Sequence, residues 1–134
     1  PMHRKLILRH RAGITLIELM ITLAIIGTLT AVIASGVMQY LRQADVSTTK
    51  LIIGQVRGGL TVYRTNHRAW PDDLETAAAF MPDGEVPTDA WGNALVYERP
   101  GSDGSPYEIV SLGEDGMPGG EDFAADISSL NLDE

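Results

Sequence analysis

Between Ile14 and Val37 the only ionisable residue is Glu18, and the 19 residues Leu19–Val37 are uncharged and mostly apolar. That is close to the roughly 20 residues a helix needs to cross a bilayer. The run passes without a break into an amphipathic pattern. Val37, Tyr40, Leu41, Ala44, Thr48, Leu51, Ile52, Val56, Leu60 and Tyr63 recur mostly three and four apart, with Arg42, Gln43, Asp45, Lys50 and Arg57 set between them. One continuous helix is predicted from about Ile14 to about Arg64, on the order of 75 Å at 1.5 Å per residue. Its first half is apolar all round and suits lipid; its second half has one face to cover. Gly54, Gly58 and Gly59 weaken it by about 1 kcal/mol each relative to Ala. They permit a close approach by another element or mark a loose turn.

Asn66 and Pro71 in TNHRAWPDD break the helical pattern. A short helix is expected over LETAAAFM, with Asp72, Asp73 and Glu75 at its start, and PDGEVPTDAWG reads as loop. ALVYE (94–98) and PYEIVSLG (106–113), joined by the turn-rich RPGSDGS, predict an antiparallel hairpin. An acidic tail follows. The fold class is α+β: a long N-terminal helix, membrane anchor plus amphipathic half, packed on a small antiparallel sheet.

Charge sharpens the division. Met2 is read as the start, and residues 1–13 hold four of the ten Lys and Arg and no acid, leaving six bases against all 18 acids beyond Gly13, a net charge of −12. Basic residues ahead of the apolar run place the N-terminus in the cytoplasm and send the acidic remainder across. An ordinary secretory signal has a shorter apolar core and a cleavage site after it; a cut there would sever this helix. The acidic excess argues against a nucleic-acid partner, whose phosphates require a basic face. No cysteine is present, so neither a disulfide framework nor a thiolate metal site is possible. His67 is the only histidine outside the leader. No nucleophile signature accompanies it, and it reads as an exposed surface residue rather than part of a triad.

Glu18 is the anomaly, since a carboxylate at the centre of a membrane helix costs about 2.5–3.5 kcal/mol by insertion scales. Either it reaches water or a proton near the interface, or something pairs with it. The junction Ala12-Gly13-Ile14-Thr15-Leu16-Ile17-Glu18, basic before and apolar after, resembles the class III leader of type IV pilins and type II secretion pseudopilins. The resemblance implies cleavage by a prepilin peptidase between Gly13 and Ile14 and N-methylation of Ile14. Glu18 would then pair with the Ile14 ammonium of a neighbouring subunit. In a low dielectric such a pair rewards correct register, whereas the lone charge is penalised.

Three further stretches select a branch of that family. Tyr63 through Trp70-Pro71 is similar to the Tyr-x-x-x-x-Gly-x-Tyr-Pro segment of major pseudopilins, without the usual glycine before the aromatic. Thr88-Asp89-Ala90-Trp91-Gly92-Asn93-Ala94-Leu95-Val96-Tyr97 is similar to their D-P-W-G-N-P-Y-x-Y turn and strand. Ser111-Leu112-Gly113-Glu114-Asp115-Gly116, with Gly119-Gly120-Glu121-Asp122 and Ala125-Asp126-Ile127, is similar to their ending. Two features depart from the family: Ser35-Gly36 stands where a membrane-helix proline is usual, and the segment before Asp89 is abbreviated.

The acidic glycine loop LGEDGMPGGED offers hard oxygen donors and a pliable backbone, which suits calcium rather than zinc or copper, and its spacing is not that of an EF-hand. Read from the residues alone, a solvated acidic loop accounts for it as well. The resemblance implies a calcium ion held by the carbonyls of Leu112 and Met117 and the carboxylates of Asp115 and Asp122, with Glu114, Glu121 and Asp126 as alternatives.

Together these imply a leader (residues 1–13), a transmembrane assembly helix (14–37) and a periplasmic pilin-like domain (38–134). The expected protein is a non-enzymatic, single-pass subunit of the bacterial inner membrane. It would polymerise with its own kind into a periplasmic type II secretion pseudopilus, with the prepilin peptidase, minor pseudopilins and the inner-membrane assembly platform as partners. Alternatives are a type IV pilin of a surface fibre, or a signal-anchored calcium-dependent binding module or enzyme.

Overall fold

The structure is a computed structural model that describes residues 13–133; the leader expected over 1–13 lies, save Gly13, outside the described residues. The chain divides into two units at Met38/Gln39.

In the first unit, helix α1 (Leu16–His67) begins. Thr15 caps it: its Oγ1 accepts the Glu18 N–H at 3.2 Å, satisfying one of the donors a helix start leaves open. Every residue from Gly13 to Met38 is exposed, and α1 contains a segment long and apolar enough to cross a membrane. Hydroxyls do not interrupt it. Thr22 and Thr30 donate to the carbonyls of Glu18 and Ile26, four residues back, at 2.7 and 2.8 Å.

In the second unit the rest of α1 buries one face. Ile53, Val56 and Leu60 pack with Leu74, Ala77 and Met81 of the following segment, with Leu95 just ahead of the sheet and with Ile109 within it. Each large aliphatic contributes about 1.5–3 kcal/mol by leaving water. The covered stripe is rotated from the expected one. Ile53 and Thr49 are fully buried, whereas Tyr40, Leu41 and Leu51 are exposed, Leu51 by 70%. A three-and-four spacing fits two overlapping stripes on this helix, and only the packed partner selects between them. The helix runs through all three glycines. A Cβ on Gly59 would lie 2.9 Å from the Phe80 carbonyl oxygen and 3.0 Å from Met81 Cγ, while Gly54 and Gly58 face open space. Gly59 therefore serves close packing; the other two do not.

Arg68 ends α1 at φ +57°, its N–H donating to the Arg64 carbonyl at 2.7 Å. This is the left-handed position usually given to glycine, and it falls where the related segment carries one. Trp70 then packs against Tyr107 at a tilt, ring centroids 4.6 Å apart, and the buried Pro71 offers its carbonyl to the Tyr97 hydroxyl at 3.0 Å. The expected short helix forms as a 3-10 helix over Glu75–Phe80. Asp73 holds its start, accepting from Thr76 N at 2.7 Å. Pro82 disfavours helical backbone at Met81, which is extended.

The hairpin is present as β1 (Val96–Glu98) and β2 (Glu108–Ser111), antiparallel with Tyr97 opposite Ile109. A third strand, β3 (Ile127–Ser128), pairs antiparallel with β2 and gives the order β1-β2-β3. Ile127–Ser128, read as part of a tail, thus belong to the sheet. Glu108 explains part of this: its carboxylate accepts from Ser102 N at 2.9 Å and Ser128 Oγ at 2.6 Å. These bonds from Ser102 and Ser128 hold its carboxyl below the ordinary glutamate value.

Candidate functional site

Two regions carry the candidate chemistry. At the start of α1, Gly13 and Ile14 precede the Thr15 cap, so the Gly13–Ile14 bond lies outside the helix. A Cβ on Gly13 would meet nothing within 4 Å, and Ile14 is 76% exposed. Glu18 occupies the first turn, where a carboxylate is favoured by the helix dipole. Among the described residues no cation lies within ion-pair distance of it.

The second region is the acidic loop between β2 and β3, and it is built around a carboxylate that sequence reasoning passed over. Asp89 is 4% exposed. Its Oδ1 accepts from Trp91 N at 3.1 Å and Asn93 N at 2.8 Å, and its Oδ2 accepts from Ser111 Oγ at 2.7 Å. One buried charge thereby receives three donors, the condition under which burial is tolerated. The same turn is tied on two other sides. Thr49 Oγ1 on α1 accepts from Ala90 N at 3.2 Å, and Asn93 Nδ2 donates to the Gly113 carbonyl at 3.1 Å. The Trp-Gly-Asn turn is a knot joining helix, sheet and acidic loop. An aspartate two residues before a Trp-Gly-Asn run is a turn signature that points to such a role.

The loop itself closes through Glu114 N donating to the Phe123 carbonyl at 3.0 Å. Asp115 and Asp122 are the next residues inward from this closure along the chain. Both are exposed. Asp115 Oδ1 accepts from Met117 N at 3.0 Å, and Asp122 adopts φ +53°. Gly113, at φ +67°, lies so close to Ala124 that a Cβ would stand 2.7 Å from its carbonyl oxygen. Leu112 is half-buried and Met117 is 64% exposed. Two of the alternative acids are engaged elsewhere. Glu114 pairs with Arg42 of α1 at 3.5 Å, and Asp126 accepts from Gly119 N at 2.9 Å. Among the described residues no three carboxylate or histidine side chains converge. Any cation there would depend on backbone carbonyls beside the two aspartates. That donor set of hard oxygens suits calcium.

His67 stacks on Tyr63 at 4.1 Å and its Nδ1 lies 3.0 Å from the Tyr63 carbonyl.

An exposed apolar helical segment followed in sequence by an α+β unit, whose own stretch of helix is tied to a small sheet by a Trp-Gly-Asn turn, is the pilin-like architecture. The sequence profile described as "Type II secretion system (T2SS), protein G" matches residues 36–130, and the "Prokaryotic N-terminal methylation motif" matches residues 8–34. The type II secretion system core protein G of Pseudomonas aeruginosa is 34% identical over 137 residues, covering 90% of this chain and 96% of that protein. A type IV major pilin of Neisseria gonorrhoeae is 36% identical, but over 74 residues and 55% of this chain. The crystal structure of the major pseudopilin from the type 2 secretion system of enterohaemorrhagic Escherichia coli shares the fold. Its TM-score is 0.56 over 72% of this chain and 94% of that one, at 22% identity. The chain belongs to the type II secretion system protein G family. The secretion branch expected from the Trp91-Gly92-Asn93 turn therefore holds over the surface-fibre alternative, and the family is one of structural subunits.

Proposed function

We infer that the chain polymerises from the bacterial inner membrane into a periplasmic pseudopilus that helps move folded proteins across the outer membrane. The observation that carries this reading is the exposed apolar run Leu19–Val37, most of which lies within the matched methylation motif (residues 8–34) and whose end meets the start of the family domain at residue 36. In this reading a prepilin peptidase cuts after Gly13 and methylates Ile14. Glu18 then docks on the Ile14 ammonium of an adjacent copy, and minor pseudopilins and the inner-membrane platform complete the assembly. The exposed Gly13–Ile14 peptide ahead of the Thr15 cap supports it: a protease needs extended chain, and capping at Thr15 leaves the helix intact after the cut. N-terminal sequencing of membrane-extracted protein should begin at methylated Ile14, and Gly13→Val should retain the leader. A mature Gly13→Val protein overturns the cleavage assignment.

Calcium belongs to the same reading. The carbonyls of Leu112 and Met117 with the carboxylates of Asp115 and Asp122 would hold it; the loop's closure by Glu114 N on the Phe123 carbonyl supports the reading. Calcium at a hundredfold excess over its dissociation constant should stabilise the protein by about 2.7 kcal/mol, with magnesium doing less. Asp115→Ala should abolish the response. A melting temperature indifferent to calcium and chelator returns the loop to a solvated acidic segment.

A further inference from the structure

The cations of the second unit are distributed in a way that the fold does not require. From Val46 to Pro71 the chain holds no acid, although it carries 12 more acids than bases beyond the leader; Lys50, Arg57, Arg64 and Arg68 all fall within this stretch. At 100° per residue these four lie within a strip about 40° wide along α1 and its terminus. Two of them have an account within the chain. Arg64 sits 4.7 Å over the Trp70 ring, and both Arg64 and Arg68 stand at the C-terminal end of the helix, where its dipole favours positive charge. Lys50 and Arg57 do not. Among the described residues neither has a carboxylate within 4.0 Å, and the one polar contact of Arg57 is a 3.5 Å approach of Nη1 to the Ser129 carbonyl.

A cavity of about 240 Å³ elsewhere on the same unit has the complementary character. Its lining includes the apolar Leu74, Val86 and Leu95 and the carboxylates of Asp72, Asp73 and Glu75, of which Asp72 is already paired with Arg99 at 3.1 Å. Glu75 is exposed and has no hydrogen-bond partner or ion pair among the described residues, and Asp73 bonds only Thr76. A lysine or arginine side chain matches such a place: its aliphatic stem covers the apolar floor while its head meets the carboxylates.

We propose that the Lys50–Arg57 face of α1 docks against the Asp73–Glu75 cavity of a second copy of this chain, a lateral contact between subunits that adds to the helix-end pairing. The proposal rests on the filament reading above. Charge complementarity selects the occupant. Beyond the leader an identical copy carries 12 more acids than bases, so the acid-free helix face of one copy is attracted to the carboxylates of the next, whereas acid-to-acid contacts repel.

The test uses the full chain in membranes of cells that assemble the filament, with the yield of sheared filament and copy-to-copy cross-linking as readouts. Arg57→Glu and Glu75→Arg should each lower the yield by about threefold or more, and the two together in one chain should restore it to within about twofold. Because the chain has no cysteine, co-expressed Arg57→Cys and Glu75→Cys chains report the contact directly. Oxidation should give a disulfide-linked dimer, and Val62→Cys in place of Arg57→Cys should not. Normal filament yield from both single reversals, or losses that the double reversal leaves uncorrected together with no Arg57–Glu75 cross-link, overturns the contact while leaving the filament reading intact. Absence of filaments from the unmutated chain overturns both.

Discussion

One helix serves two environments in this protein. From Leu16 to Met38, α1 buries nothing and has no polar face; from Gln39 to His67 it buries Thr49, Ile53, Val56, Gly59 and Leu60 and leaves charges on its flanks. In the first stretch apolarity all round suits lipid or other apolar helices, and in the proposed reading a single carboxylate carries the specificity. In the second stretch the partner is the chain's own sheet, and specificity comes from shape: a glycine where the backbone of Phe80 approaches, a threonine where the Ala90 amide needs an acceptor. Helix geometry alone does not separate these roles. What each face can bury separates them.

The largest effect expected from breaking this contrast lies in the first stretch. Glu18→Ala leaves the apolar surface and the Thr15 cap intact, so insertion and leader removal should persist while sheared filament falls by about tenfold or more, the loss of a buried pair at every subunit. Filament at the unmutated level would remove Glu18 from assembly.

In the second stretch, Asp89→Ala strands the amides of Trp91 and Asn93 and the Ser111 hydroxyl together. Destabilisation by about 3 kcal/mol is expected in thermal unfolding, with membrane insertion unchanged. Asp89→Asn should cost less, since it keeps an acceptor oxygen for part of the network. The glycines divide more finely. Gly59→Val forces the Phe80 backbone away and should cost about 1–3 kcal/mol, whereas Gly58→Ala, facing open space, should gain about 1 kcal/mol in the same measurement. Equal shifts at the two positions would contradict the close contact at Gly59.

The smallest change is a gain. Arg68 holds a left-handed backbone that costs a side-chain-bearing residue about 1–2 kcal/mol and glycine almost nothing. Arg68→Gly should therefore raise stability by about 1 kcal/mol, read as a higher melting temperature. A loss would mean that the Arg68 side chain contributes more than its backbone costs.

By itself the sequence determined the elements whose cause is local. An unbroken apolar run makes a helix whatever lies beside it, because its backbone must be satisfied internally. The β1–β2 hairpin and the Trp91-Gly92-Asn93 turn were legible for the same reason: each is written in a few adjacent residues. The three-and-four spacing beyond Met38 announced an amphipathic helix without saying which of two overlapping stripes would be covered. Ile53 and Thr49 are inside, and Leu51 is outside, because of where the 3-10 segment and the sheet arrive. Strand β3 is two residues long and has no pattern of its own; it exists because Ser129 N–H and oxygen reach Ile109 and because Glu108 holds Ser128. Asp89 looks on paper like one more acid among 18. Only tertiary structure, by burying it beneath three donors drawn from a turn and a strand 22 residues away, decides that this charge holds the fold together while Asp115 and Asp122 remain free to face solvent or a cation.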